Sequence, residues 1–319
     1  MNFIRKRGSV MDRKALRGSL LLLLGAVVWG AAFAAQRVGM DHIGPFAFSG
    51  IRMLLGGLVM VPISVVSGKR HKPRRSRSLQ MKAGLSCGLW LFAATSLQQI
   101  GLVSTDAGKA GFITALYVVL VPMAGWLFLR KNPGRIIWAG VFLALAALYL
   151  LCMPETGFRM ETGDLLVLGC AFCFTGQILC VDRFAPQVSG TALARDEFLV
   201  TGALSMLAAV FTEKITFGGI REAAIPILYT GLFSSAVGYT LQILGQKDVD
   251  PTVASLIMCL ESVFAVLTGF VLLGESMTVR ESLGCALMFA AVILAQLSPV
   301  IEKKRFGRGN GIRKAETGD

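Results

Sequence analysis

Two stretches lying 144 residues apart decide how this chain folds: residues 97–129, LQQIGLVSTDAGKAGFITALYVVLVPMAGWLFL, and residues 241–273, LQILGQKDVDPTVASLIMCLESVFAVLTGFVLL. Leu97-Gln98 falls on Leu241-Gln242, Gly101 on Gly245, Asp106 on Asp250, Ala110 on Ala254, Ile113 on Ile257, Leu116 on Leu260, Val119 on Val263, Gly125 on Gly269 and Leu129 on Leu273. Ten of the 33 aligned positions are identical, where two apolar segments of this composition would agree about once in ten. The same offset holds on both sides of the pair. It places Leu21, Leu22, Leu24 and Gly25 on Leu165, Leu166, Leu168 and Gly169, and Gly140, Leu143, Ala146, Ala147 and Leu150 on Gly284, Leu287, Ala290, Ala291 and Leu294. The chain is a duplication.

Working outward, each copy is a series of apolar runs. A window of about 19 residues finds ten, each near the length that crosses about 30 Å of hydrocarbon: residues 17–36, 45–66, 83–103, 108–129, 136–153, 163–182, 196–212, 222–243, 252–273 and 280–298. The first is read as an uncleaved span, because its apolar length fills a membrane and Trp29 stands where a signal peptide would taper. The seventh carries the weakest signal, since Arg195, Asp196 and Glu197 open it. The expected fold is therefore an all-α integral membrane protein of ten transmembrane helices in two five-helix repeats, 17–153 and 163–298, between a basic N-terminus, 1–16, and a basic tail, 299–319.

Composition agrees. Of 319 residues 54% are hydrophobic before glycine is counted and only 16% are charged, too few charges to cover a soluble fold of this length. The 32 Lys and Arg against 19 Asp and Glu give +13, yet the cations sit between the runs and at the ends, where topology and anionic lipid account for them and nucleic acid need not. An orientation with the N-terminus in the cytoplasm puts 25 of them on the inner side and six on the outer, with Arg52 inside the second run. Both termini are thus expected in the cytoplasm. With five spans per unit the second copy enters from the opposite side, so the repeats are inverted, a construction that secondary transporters use because two pseudo-equivalent halves can exchange conformations.

Glu261 is the sharpest functional candidate. It falls near the bilayer midplane, where a carboxylate costs at least about 2.5 kcal/mol and is kept for a partner or a function; proton coupling through it is one expectation, helix pairing with Arg52 another. Its repeat-mate is Tyr117. Gln98, Gln99, Gln177, Tyr239 and Gln242 can offer donors and acceptors to a polar ligand without adding charge. Trp29 and Phe33, four apart on one face of the first run, can stack on an organic solute or cation, although core or lipid packing is the favoured reading. Arg52 can take a carboxylate bidentately, snorkel, or pair with Glu261. Asp106 and Asp250 suit helix N-caps, with Lys109 anchored beside Asp106 near the outer interface. The repeated glycines suit close helix contacts.

The seven cysteines all lie in apolar runs and read as small hydrophobes, the Cys170/Cys173 pair included. With two histidines in the chain no metal site is expected, and no cofactor. GxxxxGK[ST] and HExxH are missing from the sequence, which leaves ATP as a direct energy source and zinc-dependent hydrolysis without a visible site.

The stretch LLGAVVWGAAF with Gly44-Pro45 and Arg52 after it, AGFITALYVVLVP in the fourth run and LIMCLESVFAVLTGFVLLGE in the ninth resemble the EamA family of the drug/metabolite transporter superfamily. The resemblance covers residues 18–298 and implies a ten-helix carrier with cytoplasmic termini that exports small organic metabolites, amino acids or drugs, its partners being that solute, membrane lipids and protons. Two positions depart from the usual pattern: Arg130-Lys131 replace an acidic residue after the fourth run, and Ser262 replaces a proline after Glu261.

Overall fold

The computed structural model describes residues 13–316, apart from residues 31, 71–76, 106, 131, 154–160, 274 and 275. Among the described residues every regular element is helical. Eight helices are long and apolar enough to cross a membrane. The other two expected runs lie on α1 (Arg13–Gly30) with α2 (Ala32–Met40), and on α9 (Gly190–Thr212). Each of these carries three charges, Arg13, Lys14 and Arg17 in α1 and Arg195, Asp196 and Glu197 in α9.

The surface reverses that of a soluble protein. Phe128, Phe142, Phe211 and Val271 are exposed, whereas Ser49, Thr95, Thr201, Ser205 and, among the described residues, six glutamines are buried. Large apolar groups outside and small polar groups between helices are what packing in lipid favours, because hydrocarbon solvates the former and the latter bond across helices.

Packing obeys the duplication. α3 (Pro45–Arg70) lies along α9, its repeat-mate, and α7 (Arg135–Cys152) along α15 (Val279–Glu316), its own. α4 (Arg77–Ser104) packs on α8 (Thr162–Phe184) just as α12 (Thr240–Gln246) packs on α1. Exchanging the two repeats maps these pairs onto one another. At the last pair the backbones nearly touch. A Cβ on Gly101 would stand 2.5 Å from Val167 Cγ2 and 2.9 Å from the Gly163 carbonyl; one on Gly245 would stand 2.7 Å from Leu22 and 2.8 Å from the Gly18 carbonyl. Gly125 has open space where a Cβ would go and serves no such contact, contrary to the expectation for it.

Several spans are interrupted. The fourth run divides into α5 (Ala107–Ala115) and α6 (Tyr117–Leu129), the ninth into α13 (Pro251–Met258) and α14 (Leu260–Leu273), at repeat-equivalent depth. Short i to i−3 bonds close the joints, Leu116 N to Ile113 O at 3.2 Å and Ser262 N to Cys259 O at 3.2 Å. The eighth run holds a π-helical stretch, Thr230–Tyr239, between α11 (Ala224–Tyr229) and α12, preceded by the short α10 (Phe217–Glu222). Starts are capped as the residue types suggest. Asp250 Oδ1 accepts from Thr252 N at 2.9 Å with Pro251 in the first turn, and Glu161 and Asp164 form a reciprocal box at α8. Asp106 lies outside the described residues.

Candidate functional site

The interruptions converge. Thr114 and Tyr117 flank the junction of α5 and α6, Met258 and Glu261 that of α13 and α14, Ser234 and Tyr239 come from the π-helix, and Trp29 and Gln36 from α1 and α2; all of them line one central cavity. Unbroken helices close the ring with Arg52, Gln98, Phe174 and Gln177, and α12 adds Gln242. A broken helix leaves backbone groups without partners, and within a membrane that is tolerated where the segment is buried in protein or lines a polar space. The cavity offers about 50 Å³ of room to the centres of water molecules, enough for a few waters.

Eight of the nine residues expected on a pathway line this cavity: Trp29, Arg52, Gln98, Tyr117, Gln177, Tyr239, Gln242 and Glu261. Gln99 does not. It is wholly buried between helices and donates to Gln36 Oε1, whose own side chain reaches the cavity. Arg52 and Glu261 share the cavity, but no ion pair joins them, against the expected pairing. The side chain of Phe33 lies outside the described residues.

The walls are fixed by specific contacts. Trp29 Nε1 donates to the Ser234 carbonyl at 3.0 Å and meets Tyr239 edge-on at 5.0 Å between centroids. The indole has room because position 238 is glycine, where a Cβ would stand 2.5 Å from Trp29 Nε1. Tyr229 Oη donates to the Val28 carbonyl at 2.9 Å, tying α11 to α1. Gln98 Nε2 donates to Thr114 Oγ1 at 3.2 Å, tying α4 to α5.

One carboxylate that the sequence reading passed over belongs to this arrangement. Glu197 is wholly buried. Its Oε1 accepts from Gln177 Nε2 at 2.8 Å; Gln177 Oε1 accepts from Gln242 Nε2 at 3.0 Å; Gln242 Nε2 also reaches Gln246 Oε1 at 3.1 Å. Glu197 Oε2 has no partner. Its neighbours in sequence turn the other way: Arg195 bonds Asp196 and Ser64 Oγ, and Asp196 accepts from Gln80. Three ionisable residues in a row made this run look weak, and the structure answers two of them with polar partners and the third with an amide chain. Lys109 is likewise buried, with Nζ 2.5 Å from Asp164 Oδ2, and Thr105 donates to the same aspartate. The pair joins the starts of α5 and α8; Asp106, the neighbour expected beside Lys109, lies outside the described residues.

All seven cysteines are free thiols, and among the described residues no cluster of three potential ligands could hold a metal ion.

Fold and site together define a multi-pass helical protein of the cell membrane built around a central polar cavity. The chain belongs to the EamA-like transporter family, whose model matches it twice, over residues 16–153 and 161–297. An uncharacterized transporter of Archaeoglobus fulgidus is 31% identical over 93% of this chain and 91% of its own length. The uncharacterized inner membrane transporter YedA of Escherichia coli K12 is 25% identical over 87% of this chain and 92% of its own. An S-adenosylmethionine/S-adenosylhomocysteine transporter of Chlamydia muridarum is 25% identical over 80% and 84%. A crystal structure at 18% identity matches the fold with a TM-score of 0.73 over 88% of this chain and 96% of that one.

Proposed function

We propose that the protein is a secondary transporter that exports a small organic solute across the cell membrane by alternating access around the central cavity. The observation that carries this reading is the convergence of two repeat-equivalent helix junctions and the π-helix on one polar space. A cavity holding only a few waters is smaller than any organic solute, whose sites run to about 300–1,000 Å³, so carriage requires the walls to part. Helix junctions are where they can do so. The residues named for the pathway, from Trp29 to Glu261, bind the solute, with Glu261 taking up and releasing a proton as the solute leaves and enters. The mobile halves are residues 17–153 and 163–298, each of five membrane-crossing segments, between the cytoplasmic flanks 1–16 and 299–319. Family membership and the transporters among its relatives support a small-molecule cargo; the basic loops support cytoplasmic termini.

The test compares metabolites inside and outside cells that carry the wild type, Glu261→Gln or an empty vector at matched membrane abundance. A compound enriched outside with the wild type and not with Glu261→Gln, with an efflux rate that varies with external pH, supports the reading. Equal efflux by both proteins with the same pH dependence removes Glu261 from the mechanism, and no difference from empty vector removes export.

A further inference from the structure

Two side chains of the acidic and basic types line the cavity, and neither has a hydrogen-bond or ion-pair partner among the described residues. Arg52 is 2% exposed, makes no hydrogen bond or ion pair with a described residue, and buries its Nε unanswered. Its guanidinium carbon stands 5.9 Å over the centroid of Phe48, a contact that orients the group through the ring's quadrupole without neutralising it. Glu261, 8% exposed, also lacks any hydrogen bond or ion pair with a described residue. Both line the same space. A cation and an anion taken out of water are costly unless paired, and here the pairing that would satisfy both is left unmade.

Elsewhere in this interior buried charge is answered. Lys109 meets Asp164, and Glu197 on α9 takes an amide from Gln177. The two exceptions are confined to the cavity, on α3 and at the start of α14, while the groups around them, the phenols of Tyr117 and Tyr239 and the amides of Gln98, Gln177 and Gln242, are neutral.

We infer that the solute supplies both missing partners: it is a dipolar organic molecule whose carboxylate docks on Arg52 and whose cationic centre meets Glu261. This deepens the transporter reading and rests on it. A guanidinium presents two parallel N–H donors that match a carboxylate's two oxygens. A dianionic phosphate would leave the filled cavity with two negative charges in excess; a zwitterion against one Arg and one Glu leaves it neutral, the cheapest state in which to cross a low-dielectric interior. Lipophilic cations and neutral compounds leave Arg52 unanswered, and the site discriminates against them for that reason.

The experiment uses the purified full-length protein in detergent and in proteoliposomes. Melting temperature is recorded with the proteinogenic amino acids and glycine betaine, and for each zwitterion with its decarboxylated amine and its deaminated acid; counterflow of any stabilising compound follows. At least one zwitterion raises the melting temperature and exchanges, its amine and acid bind at least about 10-fold more weakly, Arg52→Lys keeps part of the effect and Arg52→Gln loses it. Arg52→Gln without ligand melts at or above the wild type, because an unanswered buried cation is gone; a purely structural arginine would make it melt lower. Stabilisation by amines or neutral compounds that survives in Arg52→Gln, or by no zwitterion in the set, overturns the assignment. Efflux of some other compound class in the cell experiment above would overturn it while leaving the transporter standing, whereas a protein that moves nothing fails at the earlier reading.

Discussion

The joint between α5 and α6 and the joint between α13 and α14 are the same device used twice, yet Tyr117 follows one and Glu261 occupies the corresponding place after the other. The same divergence recurs elsewhere. Lys109 and Asp164 form a buried pair where the repeat-equivalent positions hold Val253 and Leu20, and the stretch equivalent to the π-helix is ordinary helix within α4. Duplication has kept the backbone joints and let the chemistry differ. Symmetric joints give two ends that can open by the same motion; unlike side chains let one cavity hold both a charge and a neutral hydroxyl at the same depth.

Breaking the asymmetry at the joint gives the largest effect. Glu261→Gln removes a charged partner worth about 1.5–3 kcal/mol and lowers efflux of the wild-type substrate by about 10- to 100-fold, whereas Tyr117→Phe removes a neutral one worth about 1 kcal/mol and lowers it about 5-fold. Initial efflux rates at matched abundance read both, and equal losses would mean that the two sites are chemically interchangeable after all.

The ion pair comes next. Lys109→Ala strands Asp164 in the interior and lowers stability by about 3–5 kcal/mol, followed as thermal unfolding in detergent. Adding Asp164→Asn to it recovers most of the loss, since the amide keeps a side chain at the α8 start, while Val253→Ala at the equivalent position costs about 1 kcal/mol of apolar burial. A loss at Val253 as large as that at Lys109 would refute the contrast.

The glycines test the symmetry itself. Gly101→Ala and Gly245→Ala force a Cβ against a facing carbonyl that cannot rotate away, and each costs about 1–3 kcal/mol. The two values should agree to within about 1 kcal/mol if the packing is truly repeated. The smallest effect is at Gly125, where a Cβ meets nothing and Gly125→Ala raises stability by up to about 1 kcal/mol through helix propensity alone. Unfolding curves for the three variants settle both points.

The duplication made the fold legible. A constant offset and apolar runs of membrane length specify helices, and with them which residues share a depth, so Tyr117 and Glu261 were paired before any coordinate was seen. Hydropathy did not carry the joints, because Leu116 and Cys259 are as apolar as their surroundings and what breaks there is hydrogen bonding. It did not carry Glu197 either. Consecutive residues of a helix point about 100° apart, so Arg195, Asp196 and Glu197 cannot all face outward or all face inward, and sequence order does not say which turns in. A signal was present: Glu197, Thr201 and Ser205, four apart, make one polar stripe, and all three are wholly buried. Gln36 was missed for lack of a repeat-mate of its own kind, its equivalent being Cys180. The Arg52–Glu261 pairing was expected from opposite charge alone, which fixes attraction but not the positions of two helices.

Of the four tryptophans, only Trp29 lines the cavity; Trp90 and Trp126 are 44% and 60% exposed on the outer surface, and Trp138 packs beside Phe142. Its indole is held by the Ser234 carbonyl and by the edge of Tyr239, so any solute that enters or any parting of α1 from the π-helix changes its surroundings while the lipid-facing rings keep theirs. The molecule therefore carries its own optical gauge: after Trp90, Trp126 and Trp138 are replaced by Phe, the remaining emission reports occupancy and opening of the cavity in real time, without an attached dye.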